Sequence, residues 1–232
     1  MFRHDFWPIT EITDETTEHG RYYITPQGNR YPSVTTVIGR SKGTQWLAEW
    51  HKKVGADKAK RIGKRATLRG TVLHGMAERY LRNQDWETDE MPTDLMSFET
   101  IRPILDRNLG TIFGIEYPLW SDTLLTAGRT DLIAEWNREP AVIDFKTSAR
   151  PKKEEHVRGY LIQKATYARM IQERVGLNIN RVVTVMMVDH DDPMILDRQR
   201  NQYDEDVDRI FLNRAPDAGL RIRRPQNENQ TI

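Results

Sequence analysis

The chain has 232 residues, 38% of them hydrophobic, 9% aromatic and 30% charged, with no cysteine and a formal net charge of +1. That length and apolar content predict one large domain or two small ones around a real core, and the lack of cysteine excludes disulfide staples, thiolate nucleophiles, cysteine-held zinc and iron–sulfur clusters. No window approaches the roughly 18 consecutive apolar residues that cross a bilayer, and the acids Asp5, Glu11, Asp14, Glu15 and Glu18 outweigh Arg3, which argues against a secretory or mitochondrial leader; the expected compartment is the cytoplasm, with no membrane partner.

In chain order, Tyr22 to Ile24, a turn at Pro26 to Asn29, and Tyr31 with Val34 to Ile38 predict a small hairpin leading into a helix. Trp46, Leu47, Trp50 and Val54 predict a helix over Thr44 to Arg69 with breaks possible at Gly55 or Gly63; after Gly70, a buried helix is expected over Thr71 to Leu81. Thr93 to Leu109 reads as an amphipathic helix kinked at Pro103. Three β-rich runs follow, Ile112 to Trp120, Leu124 to Trp136 and Ala141 to Thr147, the last two separated by a turn containing Asn137 and Pro140, as in an antiparallel meander. A long helix over Glu154 to Val175, an apolar strand over Arg181 to Val188, and a last helix over Tyr203 to Asn213 complete an α/β pattern with a mixed sheet, and the tail from Arg221 is polar.

Charge is segregated. Residues 51–70 carry eight lysines and arginines against Asp57 alone, whereas the stretches from Asp85 to Asp106 and from Asp189 to Asp208 are acidic. Such a run is either a solvated helix face or a surface for an anionic partner. The cluster from Asp189 to Asp192 reads as a solvated turn before Pro193, and Lys64 lacks the flanking pattern of a phosphate-binding loop, so ATP-driven action is not expected.

Candidate chemistry concentrates in the meander. Asp131 interrupts Gly128 to Ala134, and Asp144 interrupts Val142 to Lys146; an ionised group in such a run is costly unless paired or metal-bound. Asp144 and Lys146 share one strand face, and hairpin pairing lets Asp131 approach Asp144, so that one carboxylate takes up a proton or both bind a divalent cation. Taken singly, Asp131 is equally a turn or edge residue, Asp144 with Lys146 a plain surface pair, Glu116 an exposed edge acid, and His74 a hydrogen-bonded core histidine. Without cysteine, a metal must rest on oxygen and imidazole, which favours magnesium, manganese or calcium, although a histidine and carboxylate pair also suits zinc.

The ordered set Gly70, Thr71 and His74; Glu116; Gly128, Arg129 and Asp131; Ile143, Asp144, Phe145, Lys146 and Thr147; then Gln163 and Tyr167 resembles the PD-(D/E)XK nucleases, and among them the RecB-like exonuclease group. The run Tyr31 to Val37 is similar to a segment shared by mitochondrial genome maintenance and phage exonucleases. The resemblance covers about residues 20 to 190. It departs at Thr130, which stands where many members have proline, and in lacking the cysteines that hold an iron–sulfur cluster in some relatives. It implies a restriction-endonuclease-like core, a central mixed β-sheet flanked by helices with an N-terminal helical segment, in a single domain over 1–220 (20–110 hairpin and helices, 111–213 catalytic sheet and helices) with a tail over 221–232.

By the same resemblance, His74, Asp131 and Asp144 with the Phe145 carbonyl hold one or two Mg²⁺ or Mn²⁺ ions, Glu116 adds a catalytic carboxylate, and Lys146 orients or deprotonates the attacking water. Gln163, Tyr167, Arg129 and Thr147 are then expected near DNA, with Lys64, Arg65 and Arg69 meeting phosphates; Ser33 and Thr35 either donate to a phosphate or cap the next helix. The expected activity is metal-dependent DNA hydrolysis, most simply by an exonuclease on single strands or ends in replication, repair or recombination, in the host cytoplasm if phage-encoded, beside other proteins of those processes. The rivals are an endonuclease on the same core and a non-catalytic DNA-binding scaffold.

Overall fold

The computed structural model describes residues 1–43, 52–214 and 220–221. The predicted helical stretch at 44–51 and the tail at 222–232 lie outside them. Five strands make the central sheet in the order β4-β5-β6-β7-β8: β4 (Leu109–Ser121), β5 (Thr126–Trp136), β6 (Glu139–Ser148), β7 (Arg181–Val188) and β8 (Met194–Gln199). All neighbours are antiparallel except β6 and β7, whose parallel pairing requires the crossover helix α5 (Glu154–Val175) between them. This mixed sheet with helices on both faces is the architecture expected from the sequence.

The strand periodicity sorts side chains into two cores. On one face Ile133, Val142 and Val182 meet α5 through Val157, Leu161, Ala165 and Ala168. On the other, Leu132, Ile143, Phe145 and Val183 meet Leu73, Met76, Ala77 and Leu81 of α2 (Ala56–Leu81). At Glu116 of β4 the backbone adopts φ +50°, and Ile115 and Tyr117, which strict alternation would put on one face, fall in opposite cores.

Several boundaries differ from expectation. α2 runs unbroken for 26 residues through Gly63 and Gly70, and its break is at Gly55, where φ is +87°. The predicted helix at 93–109 is two, α3 (Pro92–Glu99) and α4 (Arg102–Asn108), each with proline in its first turn, where the missing N–H costs nothing. The β5–β6 hairpin turns on Asn137 and Arg138, both at positive φ, while Pro140 sits inside β6 opposite Glu135. Beyond β8 the chain is helical from Arg200 to Leu212, passing from 3₁₀ to α to π geometry.

The amino-terminal part forms a second sheet, β1 (Thr13–Thr17), β2 (Gly20–Ile24) and β3 (Arg30–Pro32), followed by α1 (Val34–Ser41). It is stitched to the central sheet where Thr126 Oγ1 donates to the Pro32 carbonyl at 2.8 Å and the Tyr31 hydroxyl donates to Asp122 at 2.6 Å. Residues 3–7 run along β4 and exchange backbone hydrogen bonds with Ile112 and Phe113, which covers a strand edge that would otherwise be open.

Candidate metal centre

The β5–β6 ladder ends at Leu132 opposite Ile143. One step further the strands part, and Asp131 and Asp144 flank the fork. The Phe145 N–H, which has lost its ladder partner, donates to Asp131 Oδ2 at 2.8 Å, so that carboxylate takes the place of a backbone acceptor. On the other side of β5, the pairs Ile115–Leu132 and Tyr117–Thr130 put Glu116 directly opposite Asp131. Three carboxylates therefore stand in register across three adjacent strands.

α2 brings His74 to the same point, its Nδ1 3.4 Å from Asp131 Oδ2 and its ring edge-on to Phe145. One ligand atom each from His74, Glu116 and Asp131 lies within 4.8 Å of the others, and this is the one such group among the described residues. Asp144 is set apart from it. Its Oδ1 accepts from Lys146 Nζ at 2.5 Å, and its Oδ2 faces Lys164 Nζ at 3.6 Å.

The electrostatics divide the acids in two. Burial pushes the Asp131 carboxyl up, and the neighbouring Asp144 adds to that; burial likewise lifts Glu116 to about 7, with Asp131 reinforcing it. Burial also opposes ionisation of Asp144, but Lys146 and Lys164 overcome it and hold this carboxyl below the usual range. Lys146 is correspondingly raised by Asp144 and Asp131 against its burial. Two hard oxygen donors that repel each other beside an imidazole are a fit for a divalent cation, whose charge would remove the repulsion.

Ion binding should therefore depend on pH. The folded pKa of Glu116 lies above its unfolded value, so this group favours the fold most below about pH 4 and its contribution falls as pH rises toward 7. An ion that needs the ionised carboxylate then stabilises more at pH 8 than at pH 6. The rise in melting temperature at a fixed Mn²⁺ concentration should increase across that interval in the wild type and be flatter in Glu116→Gln; equal shifts at both pH values would contradict this.

The remaining predicted residues are distributed unevenly. Tyr167 and Gln163 on α5 are buried, the tyrosine hydroxyl is hydrogen-bonded to Gln163, and a Cβ at Gly128 would lie 2.5 Å from that hydroxyl, so glycine is what lets α5 lie this close to β5. Both side chains are thus largely enclosed in the chain as it stands here, without DNA. Ser33 is the N-cap of α1, accepting from the Thr36 N–H at 3.0 Å, and Thr35 is exposed beside it. The Arg129 guanidinium donates to Glu11, to the Ile12 carbonyl and to the Glu116 carbonyl. It ties the amino-terminal segment to the ligand strand rather than standing free for phosphate. Arg69 is ion-paired with Asp189, whereas Lys64 and Arg65 are exposed on the wall of a cleft formed with α3 and the 188–192 turn. Thr147 is half-buried near the end of β6.

Lys164 is the residue that sequence reasoning missed. It is fully buried, donates to the Tyr160 carbonyl at 2.6 Å, and has its pKa lowered by burial to about 8. A signal existed: on α5 it falls on the apolar stripe Val157, Leu161, Ala165, Ala168, Ile171, where a lysine has to be paired to be tolerated.

The site is thus a forked mixed sheet with acids at the fork and a lysine two residues beyond one of them. The chain belongs to the PD-(D/E)XK nuclease superfamily, whose family profile matches residues 44–230. It is 30% identical over 135 residues to the human Mitochondrial genome maintenance exonuclease 1, a match covering 54% of this chain and 39% of that protein. The chain thus spans about two fifths of the length of that curated relative. A crystal structure of a candidate exonuclease from Eubacterium rectale superposes with a TM-score of 0.45 at 16% identity, covering 64% of each chain.

Proposed function

We propose that this protein is a divalent-metal-dependent deoxyribonuclease, with residues 1–220 as its nuclease domain, acting as an exonuclease on single-stranded DNA or DNA ends. The observation that carries the reading is the convergence of His74, Glu116 and Asp131 beside the Asp144–Lys146 pair. The exonuclease assignment draws on the name of the human relative. Mg²⁺ or Mn²⁺ would be held by His74, Glu116 and Asp131, with Asp144 adjoining, and when bound supplies Lewis acidity toward the phosphodiester and a lower pKa for the attacking water.

The chain's own part is positional and electrostatic. In hydrolysis a water oxygen bonds to phosphorus as the bond to the departing ester oxygen breaks, giving a phosphate monoester and a hydroxyl end. Lys146 is only partly buried, and its ammonium, resting on Asp144 before substrate arrives, can turn to the phosphoryl oxygens and offset the charge that builds there. The Phe145 N–H keeps Asp131 from rotating away.

End-labelled linear single-stranded, linear double-stranded and circular DNA, each with Mg²⁺, Mn²⁺ or chelator, test the reading. Shortening from ends that stops with chelator is expected. Cutting of closed circles would make the protein an endonuclease, and binding without cleavage in any metal would make it a scaffold. Lys64 and Arg65 are proposed to meet phosphates. In Lys64→Ala/Arg65→Ala, the log–log salt dependence of single-strand binding should flatten by about 0.7 for each phosphate no longer neutralised; an unchanged slope would exclude those side chains from the DNA path.

A further inference from the structure

Lys152, in the connection between β6 and α5, brings a second ammonium group close to Lys146. Its Nζ donates to the Tyr160 hydroxyl at 2.8 Å and stands 5.0 Å from the centre of that ring, while Lys146 Nζ stands 5.4 Å from the same centre. The two cations differ in what neutralises them. Lys146 rests on Asp144, whereas Lys152 is paired with no carboxylate among the described residues. Lys152 is nevertheless held in place: its backbone N–H donates to Met194 Sδ at 3.3 Å, and the Tyr160 carbonyl accepts from the enclosed Lys164 at 2.6 Å, which fixes the first turns of α5. Lys152 and Tyr160 are both half-buried, so their polar ends reach solvent. An ammonium has three donors and this one spends a single donor on Tyr160; the tyrosine accepts there, and its own O–H has no acceptor among the described residues.

We propose that Lys152 and Tyr160 form a phosphate subsite that binds the backbone phosphate next to the scissile one. A phosphodiester carries one charge and two free oxygens, which one ammonium and one hydroxyl match. With the reacting phosphate at Lys146, the strand is then gripped at two consecutive phosphates around one tyrosine, and the second grip fixes the angle at which the first is presented. The inference rests on the nuclease reading above and adds a requirement to it: the substrate must be charged beside the bond that breaks.

The first cut in an unmodified, end-labelled oligonucleotide locates the scissile linkage. Single-turnover rates of that cut are then compared for oligonucleotides with an uncharged methylphosphonate at either adjoining linkage, without the terminal phosphate where the cut releases a mononucleotide, and with the methylphosphonate at a distant linkage. Lys152→Met should slow the unmodified substrate about tenfold or more, the scale of one charged hydrogen bond. Removing the charge on one adjoining side should slow wild type by a similar factor and leave Lys152→Met no slower than before, while the distant change affects both proteins alike. Tyr160→Phe should show the same pattern with a smaller factor. A merely structural role for Lys152 would slow every substrate equally, and that result, or a variant as fast as wild type, overturns the inference while leaving the nuclease reading intact. No cleavage of unmodified DNA by wild type in any metal overturns the nuclease reading itself. Lys152→Gln takes the place of the methionine variant if that one does not fold.

Discussion

Lys146→Ala should lower DNA cleavage by about 10³-fold, the scale on which removing one preorganised charge from a transition state acts. Binding of the same DNA in Ca²⁺ should change little, because the basic wall of α2 that is proposed to hold the strand is untouched. Asp144 keeps Lys164 as its partner in this variant, so the fold has no uncompensated charge to bear and the melting temperature should stay near that of wild type. Rapid-quench cleavage assays beside calcium-supported binding measure both quantities. Cleavage at the wild-type rate would remove the lysine from the chemistry and with it the assignment of the β6 motif.

Asp131→Asn is expected to separate stability from activity in the opposite direction. In the metal-free protein Asp131 stands between Glu116 and Asp144, and its carboxyl is raised by burial and by the second of them. The amide keeps an oxygen for the Phe145 N–H but removes the repulsion, which should stabilise the metal-free fold by about 1 kcal/mol, or roughly 2–4 °C for a chain of this size. On the proposed reading Mn²⁺ should stabilise the wild type further, and in this variant that gain should vanish, and cleavage with it. Thermal melts of both proteins with and without Mn²⁺ would show this as two curves that cross in rank. A metal-free melting temperature below wild type would mean that Asp131 serves mainly as a structural acceptor.

How far these features could be read in the chain depended on whether local pattern or tertiary placement fixed them. The meander, α5 and β7 are long and strongly periodic, and they fell within a few residues of expectation. β1 was invisible because Thr13–Thr17 is a short, polar edge strand whose pairing partner, not its own hydropathy, makes it a strand, and β8 because its apolar run, Met194 to Leu196, is only three residues long. The course of α2 through Gly70 was misread because glycine weakens a helix without ending it.

At the centre, Asp131, Asp144 and Lys146 were legible as charges inside β runs. The left-handed turn of the chain at Glu116 was not, since no residue preference marks a glutamate for φ +50°. Nor was the engagement of Arg129 and Arg69 by Glu11 and Asp189, partners 118 and 120 positions away. Long-range pairing of this kind converts apparently free cations into struts, and only a folded chain reveals it.

The strut made by Arg129 has a practical reach. Through one guanidinium the Ile12 carbonyl and the Glu116 carbonyl share a donor group, so the leading dozen residues brace a prospective ligand from behind. Cleavage within residues 3–12, or any change that pries this segment off the sheet, would leave His74, Asp131, Asp144 and Lys146 in the sequence and yet let the Glu116 carboxylate wander. Samples differing only in the integrity of this segment would then differ at the site although every residue of the site is present.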